Sequence, residues 1–328
     1  MFYHLTPLSF SPESIASRVT SRGWIGVDLF FVLSGYLITG ILLDAKSSPS
    51  YFSSFYARRI LRIFPLYYSV LTVVFVSTRF RQGELGNDQI WYWLHLSNLR
   101  TAFGHSWNSI LSHFWSLSIE EQFYAAWPLV VFWVPRRKLG WLCILIAFIC
   151  VMLRNLPQVQ LLNHTYPNFC YRFTVLRLDG LALGSGVAVL RRENQLHCEL
   201  RRFAGPALAI LATASVLVLV FRHAPESAVM TRVGYSLFAM TFAAAVYVCQ
   251  DTRVAILRAT PLLKCGAYSY GMYVFHYPIL VILRTPGTAF VPYELRLAVA
   301  LFATYLAAWC SWHLIERRVL SLKSYFKY

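Results

Sequence analysis

The chain has 328 residues, of which 57% are hydrophobic and only 13% charged, and its mean hydropathy is +0.51. Such values exclude an ordinary soluble domain. A net charge of +16 raises nucleic acid as a partner, but the placement of that charge, given below, argues for a topology signal instead. At the N-terminus His4 lies in MFYHLTPL with no span before it. Read in isolation, it is a disordered terminal histidine. No signal-peptide pattern precedes Arg22. The first span runs from Gly23 to Leu43, and its 21 residues reach about 30 Å, the thickness of a bilayer's hydrocarbon core. Asp28 sits near one end of it, and Ser34-Gly35-Tyr36 interrupts the apolar run midway. An ionisable group at mid-bilayer costs about 2.5–3.5 kcal/mol on insertion scales, so one facing a polar interior is expected to have a use. The alternative is that Asp28 lies in the headgroup layer and pairs with Arg22.

Arg58-Arg59-Ile60-Leu61-Arg62 precedes a span at about 60–78. Arg59 and Arg62, three residues apart, neighbour each other on one helical face. Their guanidinium forks suit phosphate oxygens and could hold a nucleotide-type donor such as coenzyme A; plain positive-inside anchoring is the competing account. The connection at about 79–113 is rich in Trp, Tyr, Asn and His, and an interfacial aromatic belt would explain Trp91, Trp93 and Trp107. HFWSLSIEEQFY then opens a span at about 114–134. Ser116, Glu120 and Tyr124 share one helical face, while Glu121 is rotated about 100° from Glu120. A glutamate one turn inside a span, beside a serine and the entering His113, resembles part of an acid–base site. An interfacial helix start, with acids at the positive end of the dipole, is the plainer account.

Further spans are expected at about 139–154, 173–190, 204–221, 233–250, 267–284 and 295–315. Arg177 and Asp179 fall within one of them. Residues i and i+2 point to different sides of a helix, so each should have its own partner across the bundle. Arg177 could clamp Asp28 or a glutamate structurally, or take part in chemistry. His276, just before Pro278, could donate a hydrogen bond into the same interior. His313 and Glu316 read as interfacial at the end of the last span. The sum is about nine spans in one polytopic all-α transmembrane bundle over 1–328, with no separate soluble domain. With the loops alternated, one side carries 18 of the 30 lysines and arginines, among them Arg58, Arg59, Arg136, Arg137, Lys138, Arg191, Arg192 and Lys323. The other side carries fewer, among them Arg22, Arg100, Arg154 and Arg172. The excess assigns the first side to the cytoplasm, with Met1 outside and Tyr328 inside. The cysteines are scattered, without CxxC or His/Cys spacing, so neither an external disulfide framework nor a metal site is expected.

Taken together, GVDLFFVLSGYLI (Gly26–Ile38), RRILRIFPLYY (Arg58–Tyr68), HFWSLSIEEQFY (His113–Tyr124), RLDGLALG (Arg177–Gly184) and SYGMYVFHYP (Ser269–Pro278) resemble the membrane acyltransferase 3 family. Its bacterial members O-acylate glycans of the cell envelope, and the resemblance covers about residues 4–318. It implies a catalytic base at His4, an orienting carboxylate at Glu120, and acyl-CoA binding by Arg59 and Arg62 at the cytoplasmic face. Asp28, Ser34, Ser116, Arg177, Asp179 and His276 would be supporting intramembrane polar groups. The implied reaction moves an acyl group, most simply acetyl, from acyl-CoA as co-substrate to a hydroxyl of an envelope glycan or lipid-linked sugar. No bound cofactor and no nucleic acid are expected, and the location would be the bacterial inner membrane with a cytoplasmic C-terminus. A sugar hydroxyl needs a base of near-neutral pKa, and a carboxylate on the other ring nitrogen would fix its tautomer. The family pattern has ten helices, beginning with one that carries an arginine before the histidine; here that first helix is expected to be missing. Two other readings stand beside this one: a glycan or lipid transporter or flippase, with Asp28, Arg177, Asp179 and His276 along its path, and an inactive acyltransferase remnant.

Overall fold

The computed structural model describes residues 21–82, 89–105, 109–221, 225–250, 259–283 and 293–328. Among these, nine long helices match the nine expected spans one for one. They are α1 (Gly26–Ala45), α2 (Tyr51–Gln82), α3 (Trp115–Trp133), α4 (Arg136–Asn155), α5 (Leu178–Leu190), α6 (Asn194–Val220), α7 (Tyr235–Cys249), α8 (Thr260–Ile282) and α9 (Tyr293–Ser311). No strand occurs among the described residues. Six of the helices, α1, α2, α4, α6, α7 and α9, are long and apolar enough to cross a membrane. The other three fall short for physical reasons. α3 and α8 carry the polar side chains of the candidate site, which lowers their hydropathy. α5 reaches only about 20 Å at 1.5 Å per residue.

α5 is shorter than the expected 173–190 because Thr174–Leu176 forms a 3-10 turn and Arg177 is the N-cap of the helix, not a residue within it. It needs no full span, because it is walled in by α1, α4 and α7. Most of its side chains are buried. Glycine makes the packing of α1 on α5 possible. A Cβ on Gly35 would lie 1.9 Å from the Leu181 carbonyl oxygen, and one on Gly184 would lie 2.0 Å from that of Val32. Gly180 and Gly184 are four apart, the small-residue spacing that lets membrane helices approach backbone to backbone. Below the crossing, Trp127 Nε1 donates to Thr39 Oγ1 at 2.7 Å, and Thr39 donates to Ser185 Oγ at 2.8 Å. This ties α3, α1 and α5 together in the bundle core.

α2 starts at Tyr51, well before the expected start near residue 60, so Arg58, Arg59 and Arg62 lie inside a helix and not ahead of one. Tyr51 and Tyr56 extend it by anchoring to α3, donating to the carbonyls of Pro128 and Ala125. Two short helices, Gln89–Trp93 and Ser97–Ala102, pack in the connection before α3. Gln122 holds them there: its Nε2 donates to the His95 carbonyl and to Asn98 Oδ1, both at 2.8 Å. After α9 the chain continues through a π-helical turn, Trp312–Glu316, and a short helix, Arg317–Ser321.

Candidate active site

Two cavities lie at opposite ends of α1, separated by roughly 25 Å along the axis from Val27 to Asp44. The first, of about 310 Å³, opens between the start of α1, the start of α3 and the middle of α8. Glu120 lies on its wall, and Ser34 Oγ donates to Glu120 Oε1 at 2.5 Å. Ser116, one turn earlier on α3, shares a 3.0 Å hydrogen bond with Tyr273 of α8. The Tyr273 hydroxyl donates to the His113 carbonyl at 2.6 Å, so Ser116 is the donor in the first bond. His276 is buried on the same wall with its ring edge-on to that of His113, centroids 5.1 Å apart. Its Nδ1 lies 2.7 Å from the Tyr273 carbonyl oxygen. A carbonyl only accepts, so Nδ1 carries the proton and Nε2 the lone pair. The cavity wall thus brings the Glu120 carboxylate near the Ser116 and Tyr273 hydroxyls and the His113 and His276 imidazoles, with Arg172 and Glu226 also on its lining. His4 lies outside the described residues.

Asp28 and Arg177 pair as one of the sequence alternatives held. Arg177 Nη2 donates to Asp28 Oδ1 at 2.8 Å, with both side chains essentially enclosed. The headgroup alternative fails, because Arg22 turns the other way and donates to the Leu219 carbonyl. Arg177 also lies over the Tyr235 ring at 4.2 Å and over Tyr171 at 5.1 Å, so ring faces take the place of the hydrogen bonds its Nε and Nη1 lack. Asp179 has a separate partner that the sequence misplaced. Arg154, expected in an exposed outer connection, ends α4 fully buried and pairs with Asp179 Oδ2 at 2.8 Å. Ser236 Oγ donates to the same oxygen at 2.5 Å. Neither Arg177 nor Asp179 lines the cavity.

The second cavity, of about 400 Å³, lies where α1 ends, beside Arg58 and Arg59 of α2 and Lys323 and Tyr328 after α9. Arg59 packs over the rings of Phe55 and Tyr124, at 5.7 and 5.8 Å. Tyr124 is on the Glu120 face of α3, so a single buried ring connects the Arg59 end to the Glu120 end. Arg62 does not share this cavity. It turns toward Glu316 at 3.7 Å and lies over Tyr270 and Trp312. Glu316, expected at the interface, is buried instead and accepts from Ser311 Oγ at 3.0 Å. The π-turn turns it inward, a feature that hydropathy does not report.

The chain belongs to the family defined by the acyltransferase domain (acyltransferase 3), whose model matches residues 1–314. It is similar to the peptidoglycan O-acetyltransferase OatA of Listeria monocytogenes, with 31% identity over 93% of this chain and 53% of that protein. YrhL of Bacillus subtilis is 30% identical over 90% of this chain and 50% of that protein. The O-acetyltransferase OatA of Staphylococcus aureus is 30% identical over 81% and 47%. The chain therefore spans about half the length of the curated relatives it matches. No solved structure matches it.

Proposed function

We propose that this protein is a multi-pass membrane O-acyltransferase that moves acetyl from acyl-CoA to a hydroxyl of an envelope glycan, with peptidoglycan the first acceptor to test. The observation that carries this reading is the pairing of two unlike cavities at the two ends of one bundle. One is cationic and suits a phosphorylated donor; the other holds Glu120 among hydroxyls and imidazoles and suits proton transfer to and from an acceptor alcohol. The buried Tyr124 ring lies between them. By the positive-inside rule the Arg59 end and the C-terminus face the cytoplasm of a bacterial inner membrane, and the Glu120 end faces outward. The relatives' names support a glycan acceptor.

The family pattern gives the base to His4 and the orienting carboxylate to Glu120. Within the described residues Glu120 instead bonds Ser34. His276, its Nδ1 held by a carbonyl and its lone pair therefore on Nε2, is a second base of the right tautomer. Asp28 with Arg177 and Asp179 with Arg154 hold the bundle together, while Arg59 binds the donor.

The test follows labelled acetyl from acetyl-CoA into the glycan fraction of membranes containing the full chain. Transfer should be abolished by Glu120→Gln and strongly reduced by Arg59→Gln. Loss in His4→Ala with retention in His276→Ala keeps the base at His4, and the converse moves it to His276. If Glu120→Gln transfers label as well as the unaltered chain, the acyltransferase mechanism is wrong. Glycan accumulation in vesicles without acyl-CoA would favour a carrier instead.

A further inference from the structure

The cations around the inner cavity are not those that helical spacing selects. Arg59 and Arg62 are neighbours on α2, yet only Arg59 lines the cavity, because Arg62 is held by Glu316 and two aromatic rings. The other cations on the wall are Arg58 and Lys323. Lys323 comes from a segment more than 250 residues away in sequence, in the 3-10 turn Leu322–Tyr325. That segment is anchored to α2. Ser50 Oγ and Ser54 Oγ donate to the Lys327 carbonyl at 2.7 and 2.8 Å, and Arg58 lies 5.1 Å from the Tyr328 ring centroid. The position of the ammonium is therefore built into the fold.

Charge balance points the same way. The one acid on the cavity wall among the described residues is Asp44, and it is already engaged: Arg192 Nε and Nη2 donate to its two oxygens at 2.9 and 2.7 Å. Three like side-chain charges therefore surround one void whose one acidic side chain is already paired, an arrangement that favours the entry of an anion. The volume lies within the range of small-molecule sites, about 300–1,000 Å³. Guanidinium forks bind phosphate oxygens bidentately, and an ammonium adds a point charge beside them.

We infer that Lys323 is a donor-binding residue, completing with Arg58 and Arg59 a cradle for the phosphates of the nucleotide portion of the acyl donor, and that Arg62 is not part of that cradle. This rests on the reading of the inner cavity as the acyl-CoA site. Arg62 and Glu316 then serve as a strut between α2 and the segment after α9.

Coenzyme A binding to the purified full chain in detergent tests the inference. Lys323→Gln is expected to weaken CoA at least tenfold, Lys323→Arg to stay within about threefold of the unaltered chain, and the double variant Arg62→Gln/Glu316→Gln likewise. A measurement needing no variant is amine-reactive labelling of Lys323 read by mass spectrometry, which saturating CoA should suppress. Unchanged CoA affinity in Lys323→Gln, or unchanged labelling of Lys323, overturns the inference while leaving acyl-CoA as the donor. Loss of CoA binding in the Arg62/Glu316 double variant, with correct folding, overturns the exclusion of Arg62. If the unaltered chain binds no CoA, the acyl-CoA reading fails instead. Inorganic pyrophosphate titrated into the same proteins then decides the cradle: Lys323-dependent binding sustains it, and no binding overturns it.

Discussion

Arg177→Met tests whether the Asp28–Arg177 pair is architecture or chemistry. Methionine keeps an unbranched stem but removes the guanidinium that lies over Phe31, Tyr171 and Tyr235, leaving the Asp28 carboxylate 1% exposed without a cation. Arg154 offers no relief, since Asp179 already holds it. With both partners out of reach of solvent, screening is small, and breaking such a pair costs about 3–5 kcal/mol. That shifts the folded-to-unfolded ratio by roughly a hundredfold to several thousandfold, a large share of a stability of about 5–15 kcal/mol. Adding Asp28→Asn removes the stranded charge and should recover at least about 2 kcal/mol, because a neutral isostere of a buried pair is often nearly as stable. The assay is the unfolding temperature and monodisperse fraction of the four purified proteins in detergent, run beside acetyl transfer in membranes. A double variant that is stable and active establishes a structural clamp. Single variants that melt like the unaltered chain would refute the pair, and a stable but inactive double variant would show that Arg177 belongs to the reaction.

Three further outcomes follow from the packing. Gly184→Ala places a Cβ 2.0 Å from the Val32 carbonyl oxygen, against the 3.4 Å at which ordinary contact begins, so α1 and α5 must part by about 1.4 Å. A loss of about 1–3 kcal/mol is expected, whereas Gly26→Ala, with nothing within 4 Å of its Cβ, should leave the melting temperature unchanged. Trp127→Phe removes the donor to Thr39 and should cost about 1 kcal/mol by thermal melting. His95, in the connection before α3, is stacked on Tyr67 and Phe64, and burial lowers its pKa to about 4. The unfolded chain takes up a proton there below about pH 6.5 while the folded chain resists until about 4, so stability falls as the pH drops through that window, by up to about 3 kcal/mol. In urea titrations at pH 7 and pH 4.5, His95→Asn should show a smaller acid-induced loss; an equal loss would place the acid sensitivity elsewhere. Asparagine is chosen because His95 sits at φ 53°, where it is among the better tolerated side chains.

Hydropathy and period located the nine helices, and lipid-facing apolar length, a local property of sequence, accounts for the six that are long enough to cross a membrane. They failed where an element is enclosed by protein. α5 is shorter than a span because α1, α4 and α7 surround it, and Arg154 looked like a loop charge because nothing local announces that Asp179 and Ser236 wait across the bundle. Ser116, Glu120 and His276 meet on one wall as their helical positions allowed. Ser34 as the partner of Glu120 could not be read, since it comes from a helix 86 residues earlier. Glycine spacing at Gly180 and Gly184 was a legible signal of close helix contact, but only the coordinates identify Val32 and Leu181 as what the glycines meet.

An ionisable group in a membrane is a functional candidate by default, and this bundle sorts its candidates by how their charge is satisfied. Asp28 with Arg177, Asp179 with Arg154, and Glu316 with Arg62 are each matched by a charge of opposite sign on another helix. These pairs have no net charge to offer a ligand. Glu120 is different: its partner is a hydroxyl and its other neighbour is a cavity. Arg58, Arg59 and Lys323 likewise border a cavity whose one acid among the described residues is already held by Arg192. Glu120 thus borders one cavity, and Arg58, Arg59 and Lys323 border the other. A phosphorylated donor would neutralise the positive end, and at the negative end Glu120 could stabilise an imidazolium formed when an alcohol gives up its proton. The same separation of charge would serve a carrier poorly, because a ligand drawn to the cations would be repelled by the carboxylate at the far end.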